Sequence, residues 1–182
     1  MKHLNKIILS LLAIVFLALI FSGCESQYMT AGKVYLQQKP PNYDAAITQF
    51  KKAVEAEPNN ADTYIWLGKA YAGKKSFEEA CKWTEKGLSH NPKKLDELKR
   101  DMTFNYWAVF YNAGLRFLKN KEFEHAIKRL SRSLDFDNKN TLSMNMLAYC
   151  YIKLKRDSDA ENTYKKAIKL VPDDINTYIN LA

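Results

Sequence analysis

The stretch "LGKAYAGKKSFEEACKWT" (residues 67–84) returns, altered but in step, as "AGLRFLKNKEFEHAIKRL" (113–130). In both, a glycine stands second, an aromatic follows three residues later, and an alanine comes twelve residues after the glycine. The same signs recur in "AGKVY" (31–35) with "AAITQF" (45–50), and in "LAYCY" (147–151) with "DAENTY" (159–164). A further landmark closes each unit: "EPNN" (57–60), "NPKK" (91–94), "DNKN" (137–140) and "VPDD" (171–174). Ala46 to Ala80, Ala126 to Ala160, Pro58 to Pro92 and Asn138 to Pro172 are each 34 residues apart, whereas Ala80 to Ala126 is 46. One period therefore runs through the chain, with a single twelve-residue insertion between the second and third units. Self-similarity at a period of this length marks a stack of supersecondary units, none of which can bury its apolar face alone.

Each unit reads as two antiparallel helices joined by a short turn. Gly32, Gly68, Gly114 and Ala148 mark where the two helices approach, and Ala46, Ala80, Ala126 and Ala160 answer them on the second helix. A larger side chain at such a contact overpacks it, at about 1–3 kcal/mol. Tyr35, Tyr71, Phe117 and Tyr151 fill the space between helices. Pro58, Pro92 and Pro172 stop the second helix because proline has no N–H to donate; Asn138 stands in the same place in the third unit. The first unit carries "KPPNYDAA", two residues longer at its turn, so that turn should differ.

These landmarks resemble the tetratricopeptide repeat. The resemblance implies an all-α solenoid of helical hairpins wound as a right-handed superhelix, with about four repeats and a truncated fifth. The units are expected at 25–60, 61–94, 107–140 and 141–174, with the fifth beginning at 175–182, where Tyr178, Leu181 and Ala182 match Tyr64, Leu67 and Gly68.

The insertion 95–106 continues the helical spacing of the third unit. Leu95, Leu98, Met102, Tyr106, Val109, Phe110, Ala113 and Phe117 recur at helical intervals with no breaker. One long helix over roughly 93–119 is the expectation, protruding from the array and about 40 Å long at 1.5 Å per residue. The alternative is a short separate helix broken near Thr103, Phe104 and Asn105.

The chain opens with Lys2, His3 and Lys6, then runs apolar from Ile7 to Phe21 apart from Ser10. Those fifteen residues fall short of the roughly 20 that a spanning helix needs, but suit the apolar part of an export signal. Ser22-Gly23-Cys24 follows, and "LIFSGCES" (19–26) resembles the lipobox of bacterial lipoproteins, with Phe21 where that family has Leu or Val. The resemblance implies a signal peptide over 1–23, a diacylglycerol on the Cys24 thiol and acylation of the new amino terminus. Two or three acyl chains hold a protein stably on a membrane where one does not. Removal of residues 1–23 lowers the formal charge from +8 to +6. Glu25 after the lipidated cysteine favours the periplasmic side of the outer membrane.

No catalytic, metal or cofactor constellation is legible. His90 and His125 lack partners at ligand spacing, and no phosphate loop or activated nucleophile is present. Cys81 and Cys150 lie among apolar helical neighbours in non-adjacent units, so no disulfide is expected. Basic clusters such as Lys128-Arg129 and Lys165-Lys166 read as solvated outer faces, and the export signal argues against nucleic acid.

Members of the resembled family bind ligands on the concave face lined by the first helices. Register then assigns to that face Met29, Lys33 and Leu36; Ile65, Lys69 and Ala72; Tyr111, Leu115 and Lys119; Asn145, Tyr149 and Ile152. Of these, Lys33, Ile65, Lys69, Tyr111, Leu115, Asn145, Tyr149 and Ile152 are the candidate groove, with Asn145 expected to be free to bond a backbone amide. At the places where some members clamp a peptide carboxylate stand Ile65, Lys69, Asn112, Leu142 and Met146, and only Asn112 agrees. The whole reads as a non-catalytic adaptor or assembly factor of the bacterial cell envelope. It would bind protein or peptide segments and meet the membrane through Cys24. Two alternatives stand beside it: the N-terminal scaffold of a longer envelope enzyme, and a self-assembling structural lipoprotein.

Overall fold

Four helical hairpins stack in the computed structural model, which describes residues 26–172. The lipobox, Cys24 and the 175–182 segment lie outside the described residues. The hairpins are α1 (Gln27–Gln37) with α2 (Tyr43–Ala56), α3 (Ala61–Gly73) with α4 (Phe77–His90), α6 (Tyr106–Lys119) with α7 (Phe123–Phe136), and α8 (Thr141–Lys153) with α9 (Asp157–Leu170). A short α5 (Lys94–Arg100) joins the second hairpin to the third. Each hairpin then packs its second helix on the first helix of the next.

The close approach falls where the small residues stand. A Cβ built on Gly32 would lie 2.4 Å from the Phe50 ring, one on Gly68 2.5 Å from Thr84 Oγ1 and 3.1 Å from the Ala80 carbonyl, and one on Gly114 2.8 Å from Leu130. In the fourth hairpin Ala148 takes the place and is fully buried. Ala46, Ala80, Ala126 and Ala160 are buried opposite. A second small position, Ala53, Gly87, Ser133 and Ala167, is also buried in every hairpin. A Cβ on Gly87 would lie 2.8 Å from the Ala61 carbonyl, so the helices are held close at both ends.

The turns repeat as closely. Lys75, Lys121 and Lys155 all have positive φ, at 61°, 62° and 57°. The next amide donates back to the landmark aromatic: Ser76 to the Tyr71 carbonyl, Glu122 to Phe117, and Arg156 to Tyr151, each at 2.9 Å. This is the Schellman closure of a helix, with its left-handed residue supplied by lysine instead of glycine. The longer first turn reaches the same end, Asn42 N–H donating to the Tyr35 carbonyl at 3.0 Å. At the other pole α2, α4 and α9 stop two residues before Pro58, Pro92 and Pro172, and α7 stops two before Asn138. The residues between, Glu57, Asn91, Asp137 and Val171, share an extended φ between −130° and −144°. Asn60 and Asn140 then cap the following helices, their side chains accepting from the Asp62 and Ser143 amides.

The insertion does not extend the third hairpin. Residues 94–100 form α5, the chain turns over 101–105, and α6 starts at Tyr106. The break is chemical. Asp101 Oδ1 accepts from the Thr103 amide at 2.9 Å and from its hydroxyl at 2.5 Å, and such a local bond competes with helix continuation. Its other oxygen is taken by Lys69 of α3. Instead of protruding, the segment folds back on the array. Leu98 and Tyr106 are buried, whereas Met102, in step with them by period, is 97% exposed.

Across the same junction, Arg129 of α7 donates to Glu85 at 2.9 Å and to both carboxylate oxygens of Glu78, on α4. Its side chain is largely buried, so this forked, charge-assisted contact ties the second and third hairpins through α4 and α7.

Two substitutions separate packing from turn strain. Gly68→Val should lower the urea midpoint by the equivalent of about 1–3 kcal/mol. Lys75→Gly should leave it unchanged or raise it, because about 1–2 kcal/mol of left-handed strain is relieved against about 0.5–1 kcal/mol of added chain entropy.

Candidate functional site

The candidate groove divides into a covered part and an open part. On α3, Asp62, Ile65 and Lys69 lie at i, i+3 and i+7 and therefore on one stripe. The inserted segment lies on that stripe. Lys94 reaches Asp62 at 2.9 Å. Leu98 is buried in one cluster with Ile65, Tyr106 and Val109. Asp101 accepts from Lys69 Nζ at 2.8 Å. Ile65, expected to line an open groove, is 3% exposed; it packs in the apolar cluster that Leu98 of the insertion joins, together with residues of α4 and α6.

Lys69 is enclosed as well as paired. Its ammonium lies 4.7 Å from the Trp66 ring centre, 5.3 Å from Phe104 and 5.5 Å from Tyr106. Lys33 of α1 approaches the same Trp66 ring at 4.8 Å. Cations over aromatic faces contribute about 0.5–2 kcal/mol each, more when desolvated. Burial alone would raise the Asp101 carboxyl, but the hydrogen bonds from Lys69 and Thr103 outweigh it and hold the group below its ordinary range.

The open part lies on α6 and α8. Leu142, Asn145, Tyr149 and Ile152 fall on one stripe of α8, and Leu142, Tyr149 and Ile152 are exposed at 55%, 36% and 41%. Tyr111 and Leu115 of α6 are half-buried beside it, and Tyr111 packs against the cluster of Leu147 and Cys150. Burial raises the Tyr111 phenol, so it stays a neutral donor. Lys153 sits 4.9 Å over the Tyr149 ring. Asn145 is buried and already engaged within the fold, so it is not the free amide expected from register. Asn112 is likewise committed, donating to the Ala108 carbonyl at 2.7 Å. Leu142, absent from the candidate groove, is the most exposed apolar residue on the stripe; its three-residue offset from Asn145 was the signal.

Reactive groups are quenched. Cys81 and Cys150 are free and buried; burial pushes the Cys150 thiol up to about 11 and Cys81 higher still. Thiols held neutral are poor nucleophiles and metal ligands. Among the described residues no group of three or more His, Cys, Asp or Glu is arranged to hold a metal. His90 stacks on Tyr64 and His125 on Phe117. None of the described helices is long and apolar enough to cross a membrane.

Comparison with known proteins agrees with this architecture. A TPR repeat model matches residues 32–75, and tetratricopeptide repeat models match 61–94 and 117–181. The insertion falls between the last two matches. BBSome complex member BBS4 of Bos taurus is 25% identical over 146 residues, covering 80% of this chain and 25% of that protein. Anaphase-promoting complex subunit 6 of Arabidopsis thaliana is 28% identical over 157 residues, covering 86% and 27%. The chain thus spans about a quarter of the length of these curated relatives, 25% and 27%. Among solved structures, a MamA protein superposes with a TM-score of 0.56 at 23% identity, covering 85% of this chain and 76% of that one. YrrB, described as a TPR protein with an unusual peptide-binding site, gives 0.57 at 18% identity, covering 91% and 79%. At these identities the structural likeness concerns the fold.

The covered part has a pH signature. A carboxyl whose pKa is depressed on folding stabilises the fold above its unfolded value of about 3.9, and the contribution is lost as pH falls through the lower folded value. Asp101→Asn should therefore cost about 1–3 kcal/mol near neutrality. Urea unfolding at fixed ionic strength should show that difference shrinking below about pH 4. A difference that persists into strong acid would mean the pair contributes no charge-dependent stability.

Proposed function

We propose that this chain, which is built of tetratricopeptide repeats, is a non-catalytic protein–protein interaction scaffold whose working surface is the exposed stripe of α8 with its α6 neighbours. The observation that carries this is Leu142, Tyr149 and Ile152, three apolar side chains exposed along one face of a helix. Isolated exposed apolar residues need no explanation, whereas several along one helix face mark a place for a partner. Tyr149 and Tyr111 offer broad, rigid contact area with a polar tip, the kind of side chain that anchors interfaces. An extended or helical peptide segment with apolar side chains at helical or alternate spacing fits such a stripe. The curated relatives are named as members or subunits of complexes, and YrrB by its peptide-binding site, which supports the same class of role.

The scaffold is further proposed to be a lipoprotein of the bacterial cell envelope, held through acyl chains on Cys24, on the periplasmic side of the outer membrane. The support is the basic start, the apolar run 7–21 and the small residues before Cys24. Helix α1 starts at Gln27, three residues on from Cys24, which would keep the array close to the bilayer.

One experiment with two arms tests both statements. The full chain is expressed in a Gram-negative host fed an alkynyl fatty acid, extracted in mild detergent and recovered by affinity. The wild-type chain should carry the label and Cys24→Ser should not; an unlabelled wild type, or a labelled Cys24→Ser, removes the lipid anchor. In parallel, a co-purifying protein should be lost with Tyr111→Ala/Tyr149→Ala while circular dichroism stays native. Retention of that protein by the folded double variant rules out the α6/α8 stripe.

A further inference from the structure

The segment 94–105 occupies the face of α3 that corresponds, position for position, to the open stripe of α8. Asp62, Ile65 and Lys69 on α3 match Leu142, Asn145 and Tyr149 on α8. On α8 the first and third of these are exposed; on α3 all three meet the insertion. We infer that residues 94–105 are an internal ligand of the binding face. They fill a leucine-and-acid subsite on α3 that a partner segment of the same chemistry, with an apolar residue three places before a carboxylate, takes over when the strap lifts.

The strap's own contacts define that chemistry. Leu98 enters the apolar cluster with Ile65, and Asp101, one helical step on, meets the only lysine on the stripe. Trp66, Phe104 and Tyr106 shield that lysine from water, which strengthens its attraction for any carboxylate placed there.

The fit is incomplete in a way that leaves room for a better ligand. Strap and α3 enclose a cleft of about 380 Å³ whose walls include Trp66, Lys69, Arg100, Asp101 and Tyr106. Tyr106 is 2% exposed, yet its hydroxyl makes no hydrogen bond among the described residues. A buried donor left unmatched is costly, and the cleft beside it is space on the α3 face that the strap does not fill. The strap is also weakly built. α5 has seven residues and no side-chain cap, a length at which an isolated helix is marginal. The backbone on either side of it continues into α4 and α6, so the strap competes at high effective concentration. That tether adds to the contacts of Lys94, Leu98 and Asp101 that seat the strap.

The inference rests on the reading of the first-helix face as the binding surface, and its test is separable from that reading. The probe is a fluorescein-labelled peptide of residues 94–106, titrated by anisotropy into the full chain in detergent micelles. Leu98→Ala/Asp101→Asn, which loosens the strap, should bind it at least about tenfold more tightly than wild type. Adding Lys69→Gln should return the affinity to the wild-type level. Hydrogen exchange of the wild-type chain supplies a second readout that needs no variant: amides of 96–101 should exchange at least about tenfold faster than those of α3 and α6. Equal peptide affinity in wild type and a folded double variant overturns the inference. So does strap exchange no faster than α3, and that arm alone decides if the variant fails to fold. Tyr111→Ala/Tyr149→Ala should bind the peptide as wild type does, so failure of the α8 stripe would leave this result intact, and the converse.

Discussion

Every feature of this array depends on the distance between the two helices of a hairpin, and that distance is set by side chains that are nearly absent. At Gly32, Gly68 and Gly114 even a single Cβ would meet the opposite helix at 2.4–2.8 Å. Interiors packed at crystal-like density cannot absorb such an intrusion without moving backbone. The residues that meet these glycines, Phe50, Thr84 and Leu130, differ widely in size, yet each fills its own hairpin. Because each unit touches only its neighbours, an error in one spacing would propagate into the curvature of the whole solenoid.

Given that geometry, the first helices necessarily line one face and present one stripe each. What distinguishes the stripes is what covers them. On α3 the cover is part of the same chain, anchored by Lys94–Asp62 at one end and Lys69–Asp101 at the other, with Leu98 between. On α8 the first and third of the corresponding side chains, Leu142 and Tyr149, are exposed. The insertion therefore adds no bulk to the array. It places Leu98 in the apolar cluster with Ile65 of α3. Arg129 with Glu78 and Glu85 spans the same junction between α4 and α7, adding two ion pairs to the two made by the strap.

The repeat itself was legible because its landmarks are steric necessities. Glycine or alanine at the helix crossing, an aromatic before the turn and proline after the second helix have few substitutes, so they survive as a countable period. The second small position, at Ala53, Gly87, Ser133 and Ala167, carries the same information but hides in residue types common on any helix. The insertion misled for a specific reason. Leu98, Met102 and Tyr106 keep helical spacing across a break made by Asp101 and Thr103, polar residues that read equally well as exposed helix. Burial within the candidate site was likewise out of reach: register places Ile65 and Asn145 on the concave face, but only the fold shows that both are buried. The lysines at positive φ gave no signal, since lysine carries no turn preference of the kind glycine or asparagine does.

We propose that this protein works through the α6/α8 stripe while its own strap lies on α3. Site-specific photo-crosslinking in cells tests it most directly. A benzophenone amino acid is placed in turn at Tyr149, at Ile65 beneath the strap, and at Lys128 on the exposed face of α7. Adducts to another protein should form from position 149, with none from 128, and those from 65 should be internal to the chain. Adducts that form from 128 but not from 149 would contradict the account and place the working surface on the second helices.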